Sequence, residues 1–173
     1  MTIAKQLPKK RQTLLFSATM PSRIRELAKK LLKNPSSISL EISKPATGIT
    51  QNAYMCHDSQ KVNLAKEILK AKGENLSHVL IFASSIKSVR EIKKTLNKAG
   101  MKASEMHSGL DQEQREKTMI DFKNKKIRIL VATDILSRGI DIKGIELVIN
   151  YEVPNEAEDY VHRIGRTARA DRK

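Results

Sequence analysis

Residues 78–100 read HVLIFASSIKSVREIKKTLNKAG, and the change of pattern inside this stretch decides the fold. His78-Val79-Leu80-Ile81-Phe82 is apolar on both alternating faces, as expected of a strand buried in the middle of a sheet. After Ala83-Ser84 the spacing switches from every residue to every third or fourth. Ile86, Val89, Ile92, Leu96 and Ala99 fall on one helical face, and Gly100 closes the helix. A second strand is expected near residues 102–106. A strand, a helix of about this length and another strand make a crossover unit with parallel strands.

The same grammar extends in both directions. Downstream, Asp111 opens a helix, Ile127 to Ala132 form a second buried strand, and Leu147 to Tyr151 a last one. The latter leads to a helix with Asn155 and Glu158 in capping-box spacing. Upstream, Ile49 to Cys56 is strand-like, and Asp58 caps a helix carrying Val62, Ala65, Ile68 and Leu69 that Gly73 closes. About five strands with intervening helices predict an α/β domain, a doubly wound parallel sheet with helices on both faces, over residues 49–173. Ser43-Lys44-Pro45-Ala46-Thr47-Gly48 has the composition of a linker (43–48). Before it, residues 1–42 hold a short strand candidate, Leu14-Leu15-Phe16, and a helix led by Pro21 with Ile24, Leu27, Ala28, Leu31 and Leu32 on one face. Asn34-Pro35 ends that helix, and residues 37–42 look like another strand.

Composition narrows the class of partner. The 173 residues suffice for one α/β domain and not for two. The net charge of +14 attracts anions, and it is uneven, with ten Lys and Arg against two acids in residues 1–48. The single cysteine, Cys56, excludes an internal disulfide, and no apolar run approaches a membrane span. A soluble, cytoplasmic protein without membrane contact is expected.

Three stretches are unusual for packing alone. Thr133-Asp134-Ile135-Leu136-Ser137-Arg138-Gly139-Ile140-Asp141 puts hydroxyl, carboxylate, guanidinium and glycine groups in one loop after an apolar strand. Ligands of such sheets gather there. A polar loop with Asp134 capping a helical turn answers the same residues. In His162-Arg163-Ile164-Gly165-Arg166-Thr167-Ala168-Arg169, Arg166 and Arg169 share a helix face, and an anion between them would relieve their repulsion. A solvated basic face near a helix C-terminus is the simpler local reading. Phe16-Ser17-Ala18-Thr19-Met20-Pro21 is, as local chemistry, a good helix N-cap.

Taken together, these stretches resemble the conserved motifs of DEAD-box RNA helicases. Ser17-Ala18-Thr19 resembles motif III of superfamily 2, Val79-Leu80-Ile81-Phe82-Ala83-Ser84 motif IV, Thr133 to Asp141 motif V and His162 to Arg169 motif VI. Gln112 and Arg115 match the Q-x-x-R element, which follows a segment like His107-Ser108-Gly109. Order and spacing agree over essentially the whole chain, and the wording is most similar to bacterial RhlE-type members. Ala168 departs from the pattern, because the family usually has glycine there.

The resemblance implies a RecA-like C-terminal lobe, with residues 1–42 a remnant of the first lobe. Arg166 and Arg169 would then be catalytic arginine fingers on the γ-phosphate of ATP. Gly139 and Asp141 would meet the nucleotide. Ala83, Ser84, His107, Gly109, Gln112, Arg115 and Thr133 would lie on the RNA backbone, and Ser17, Thr19, His162 and Arg163 would couple the lobes. No G-x-x-x-x-G-K-[ST] loop and no Asp-Glu-Ala-Asp is found, so the phosphate cradle and the Mg²⁺ ligands would belong to a missing N-terminal lobe. ATP with Mg²⁺ would then act only in the two-lobe protein, and this chain alone would be an inactive ATPase. Expected partners are RNA, that first lobe and, through residues 1–42, a second copy. Two rivals remain at this point: a self-sufficient binding module and a DNA helicase of the same superfamily.

Overall fold

A computed structural model of the chain describes residues 6–8, 10–17, 20, 22–38, 48–72, 75–134, 142 and 144–167. The chain divides into two units, Met1–Ile42 and Ser43–Lys173. In the first, α1 spans Ser22–Leu31 and buries Ala28. Leu14-Leu15-Phe16, expected as a strand, forms none, and Leu14 and Phe16 are exposed. An apolar run favours extension, but a strand exists only where a neighbour supplies a ladder of hydrogen bonds. Of the strand expected at 37–42, residues 39–42 lie outside the described residues, as do residues 43–47 of the expected linker and Gly73.

The second unit contains α2 (Asp58–Ala71), β1 (Val79–Phe82), α3 (Ile86–Lys98), β2 (Ala103–Met106), α4 (Gln112–Lys123), β3 (Ile129–Ala132), β4 (Leu147–Asn150) and α5 (Ala157–Ile164). The four strands form one parallel sheet in the order β2-β3-β1-β4. Alternation along each strand sends side chains to opposite faces. Val79, Ile81, Ile129 and Val131 pack with Leu69 of α2 and with Val89, Ile92 and Leu96 of α3. Leu80, Phe82, Leu130 and Ala132 pack with Phe122 of α4 and with Ile142 and Ile145. Helices therefore cover both faces, as a doubly wound sheet requires. All eight side chains of β1 and β3 are buried. This is why both strands read as unbroken apolar runs.

Several boundaries differ from the sequence expectation for definable reasons. Four strands rather than five are present among the described residues, because 49–56 is extended without a ladder; its Gln51 instead accepts from the Tyr160 hydroxyl at 2.6 Å. The N-cap of α2 is His57, not Asp58, and Gln60 Oε1 accepts from the His57 N–H at 2.9 Å. Asp58 lies inside the helix, where it pairs with Lys61 at 2.8 Å. The N-cap of α5 is Glu156, one residue past Asn155. Ala99, expected inward, is exposed as the C-cap of α3, and Gly100 makes the turn with φ +79°. Asp111 does cap α4: its Oδ1 accepts from Gln114 N–H at 2.7 Å, and Gln114 Oε1 accepts from Asp111 N–H at 3.3 Å.

One carboxylate fastens the amino ends of β1 and β4. Glu146 accepts from the Ser77 and His78 N–H groups and from the Ser77 hydroxyl. Burial pushes its pKa up, but these hydrogen bonds together outweigh it and hold the carboxyl below the usual range. A depressed folded pKa gives stability that is present above the unfolded value and lost as pH falls through the folded one. Because Glu146 is exposed, Glu146→Gln is expected to cost only about 1 kcal/mol at neutral pH after solvent screening. Urea midpoints compared near neutrality and near pH 3 provide the check. An equal cost at both pH values would mean that the carboxylate charge is irrelevant.

Candidate functional site

The in-register pairing of the strands builds the site. Phe82 lies opposite both Ala132 and Asn150, and Ala132 lies opposite Met106, so all four strands end along one line. Whatever follows them in sequence shares that edge. In a doubly wound sheet this is where ligands bind.

Over β2, β3 and β1 the edge is built from short hydrogen-bonded loops. Ala83 N–H donates to Ala132 O at 2.9 Å and Thr133 N–H to Met106 O at 3.1 Å, each extending a ladder by one step. Ser84 is exposed, and its N–H donates to Glu152 Oε2 at 3.0 Å. His107 is fully buried, and its Nδ1 accepts from the Gly109 N–H at 3.1 Å. That bond places the proton of a neutral ring on Nε2. A Cβ on Gly109 would lie 3.2 Å from that Nδ1, so any larger residue there would have to shift the ring by a few tenths of an ångström.

Arg115 holds the same loop from α4. Its Nε donates to Leu110 O at 3.0 Å and its Nη2 to Ser108 O at 3.1 Å. Gln112 is exposed at the first turn of α4, with Nε2 donating to Glu116 Oε1 at 2.7 Å. Ala83, Ser84, His107, Gly109, Gln112, Arg115 and Thr133, nominated from sequence, are thus brought to one edge. Two of them, Ala83 and His107, have no exposed surface and shape the loops from within. The first turns of α3 and α4 open on this edge as well, with Ser85 Oγ accepting from Ser88 N–H. Helix N-termini present N–H groups and a partial positive charge to an anion.

Over β4 the edge is organised by Arg163. It is only 2% exposed, and its guanidinium grips Asp134 in two parallel bonds, Nε to Oδ1 at 2.7 Å and Nη2 to Oδ2 at 2.8 Å. Nη1 donates to Glu152 O at 2.9 Å and to Asn150 Oδ1 at 3.3 Å, and the group lies 5.1 Å from the Phe82 ring centroid. A planar fork with five donors is suited to such a site, and a lysine is not. One turn on, Arg166 N–H donates to Arg163 O at 3.3 Å, and the half-buried Arg166 side chain starts from that turn.

Residues 60–171 match the helicase conserved C-terminal domain. The chain is 32% identical to the Escherichia coli DEAD-box protein SrmB, solved bound to the regulator of ribonuclease activity A, over 68% of each chain with a TM-score of 0.61. The chain belongs to the DEAD-box helicase family, as a RecA-like C-terminal lobe. It is also similar to the yeast protein Dbp5 solved with RNA and ADP BeF3, at a TM-score of 0.83 and 30% identity over 99% of this chain. The rice DEAD-box ATP-dependent RNA helicase 21 is 42% identical over 94% of it. The chain spans 22% of the length of the rice protein and 45% of the yeast chain.

Within this helicase lobe, the remaining nominated residues fall unevenly. Ser17 is exposed, and His162 is half-buried on α5. Thr19, Gly139, Asp141 and Arg169 lie outside the described residues, as does Ala168. Sequence reading missed Asn150 and Glu152, although a polar residue ending an apolar strand was a usable signal. It also did not pair Asp134 with Arg163, 29 residues apart. A concavity of about 390 Å³ beside that pair is lined by Ser84, Asp134, Glu152, Glu156, Asp159 and Arg163, among others. Among the described residues that line it, four carboxylates stand against one guanidinium already held by Asp134. Among the described residues no helix is long and apolar enough to cross a membrane.

Proposed function

We propose that this lobe supplies half of an RNA backbone-binding groove and the arginine fingers of an ATP site completed by another lobe of a longer chain. The observation that carries the proposal is the aligned carboxyl edge, where Ser84, Gly109, Arg115 and Thr133 stand beside two helix N-termini. The N–H groups of two helix first turns, hydroxyls and a guanidinium suit sugars and phosphates, and among the described residues none is arranged to read a base edge. The yeast protein solved with RNA and ADP BeF3 is similar in fold over 99% of this chain, which supports RNA and a nucleotide as the ligands in this reading.

ATP would supply the phosphoryl group that is transferred to water. On this chain Arg166, with Arg169 one turn further, would meet the charge that develops on the γ-phosphate. Gly139 and Asp141 would meet the nucleotide itself. Ser17 and Thr19, with His162 and Arg163, would couple the lobes. Mg²⁺ would be held by the other lobe together with the nucleotide phosphates. Unit Met1–Ile42 would be the end of the preceding lobe. Its exposed Leu14, Phe16 and Ile38 leave apolar surface suited to that lobe or to another copy. Without its counterpart the lobe would not hydrolyse ATP.

Binding of labelled single-stranded RNA by the 173-residue chain tests the groove. Affinity is expected to be weak and to fall with salt at a log–log slope of roughly −0.7 per neutralised phosphate. Arg115→Ala and Thr133→Val are expected to weaken all sequences alike by several-fold. Strong preference for one base sequence, or no binding at low salt, would contradict the reading.

A further inference from the structure

The outer face of α3 carries a line of positive charge that neither the fold nor the proposed groove uses. Lys87, Arg90, Lys94 and Lys98 are spaced three, four and four residues apart, which puts them on one side of the helix, opposite the buried Val89, Ile92 and Leu96. All four are exposed, and among the described residues none forms an ion pair. Lys93, beside them, is held by Glu105 at 3.1 Å, and Asn97 is tied to both backbone groups of Ala103. Glu91, the acid on this helix, lies toward Tyr151, whose phenol it helps to push up after burial and Glu152.

This line works against the helix that bears it. Like charges at helical spacing repel, and a cation in the first turn opposes the helix dipole. Lys87 sits in that first turn, which contains no acid to offset it. Only Lys98, in the last turn, stands where the dipole favours it. The line also flanks a concavity of about 530 Å³ between α3 and β2, lined by Arg90, Lys93, Lys94, Asn97, Lys98 and Glu105. Concentrated unpaired charge along a concave surface is the electrostatic footprint of a polyanion.

Its position identifies which polyanion. The line starts at the first turn of α3, three residues after Ser84, and runs about 16 Å away from the carboxyl edge. It therefore begins where the proposed RNA groove ends. We infer that the phosphodiester backbone of RNA leaving that groove past Ser84 continues along α3 on Lys87, Arg90, Lys94 and Lys98. This inference rests on the RNA reading of the edge. Lysine-rich and without aromatic side chains, the track holds phosphates and selects no sequence.

The test uses the 173-residue chain and two single-stranded RNAs of mixed sequence, one of about six nucleotides that spans the edge alone and one of about fifteen. The variant Arg90→Gln, Lys94→Gln, Lys98→Gln is compared with Lys66→Gln, Lys70→Gln, Lys72→Gln on α2 and its C-cap, which removes equal charge elsewhere. Circular dichroism confirms that both fold. For the longer RNA the α3 variant is expected to bind roughly tenfold more weakly at low salt, with a salt slope shallower by about 2. For the shorter RNA, and for the α2 control with either RNA, changes are expected to stay within about twofold. Equal loss with both RNAs, equal loss in the control, or no loss at all would each overturn the track. Thr133→Val distinguishes the two readings. If it has no effect while the α3 variant does, the groove assignment fails and the track stands as an independent RNA site. If the unmodified chain binds neither RNA, both fall.

Discussion

Arg163→Ala is expected to lower the unfolding free energy of the lobe by about 3 kcal/mol, a large share of the stability of an ordinary domain. The size follows from what the guanidinium holds. Its side chain is 2% exposed, and its loss would strand Asn150 Oδ1 and Glu152 O and open a void against the Phe82 ring. Asp134, by contrast, is 47% exposed and would be partly rescued by water, which keeps the cost at the lower end for a buried pair. Arg163→Lys is expected to recover only a fraction, since an ammonium cannot reproduce the two parallel bonds to Asp134. Urea unfolding of the 173-residue chain measures this, with an expected midpoint shift of about 1 M or more. A shift equivalent to less than about 1 kcal/mol would mean that the hub is redundant and that α5 is held by its apolar contacts alone.

In a protein containing both lobes, Arg166→Ala is expected to reduce ATP turnover by roughly a thousandfold, the order seen when an arginine finger is removed. Arg163 is the useful contrast. Its donors go to Asp134, Asn150 and Glu152, and Arg166 follows three residues later, just past α5, half-buried. A finger acts on charge that appears only in the transition state, so nucleotide affinity should change far less than turnover. Hydrolysis and labelled-nucleotide binding are to be measured in parallel, with Lys123→Ala as an exposed-charge control and Arg169→Ala as the second finger variant. Near-normal turnover, or equal losses in binding and turnover, would make Arg166 a structural or RNA-facing residue.

The same contrast shows where reading the chain residue by residue stops. Periodicity alone located β1 and β3, because a strand buried on both faces is apolar at every position and says so locally. It located α3 by its apolar spacing and its closing Gly100, whereas α4 was placed only by the Asp111 that opens it. The order and wording of the motifs then placed the chain in its family. What local pattern could not supply was anything requiring a partner far along the chain. Residues 49–56 read as strand-like, yet extension without a neighbour's hydrogen bonds is not a strand. His57 rather than Asp58 caps α2, because a cap is decided by where the backbone turns and not by side-chain preference alone. Asp134 and Arg163 are 29 residues apart, and only the parallel register that sets Phe82 between Ala132 and Asn150 brings them within 2.7 Å. By itself the sequence determined the buried strands, most of the helices of the second unit and the kinship. The tertiary structure alone decided strand order, the common edge and the pairing on it, because hydrogen-bond ladders and buried charges are satisfied across space and leave little trace between neighbours in the chain.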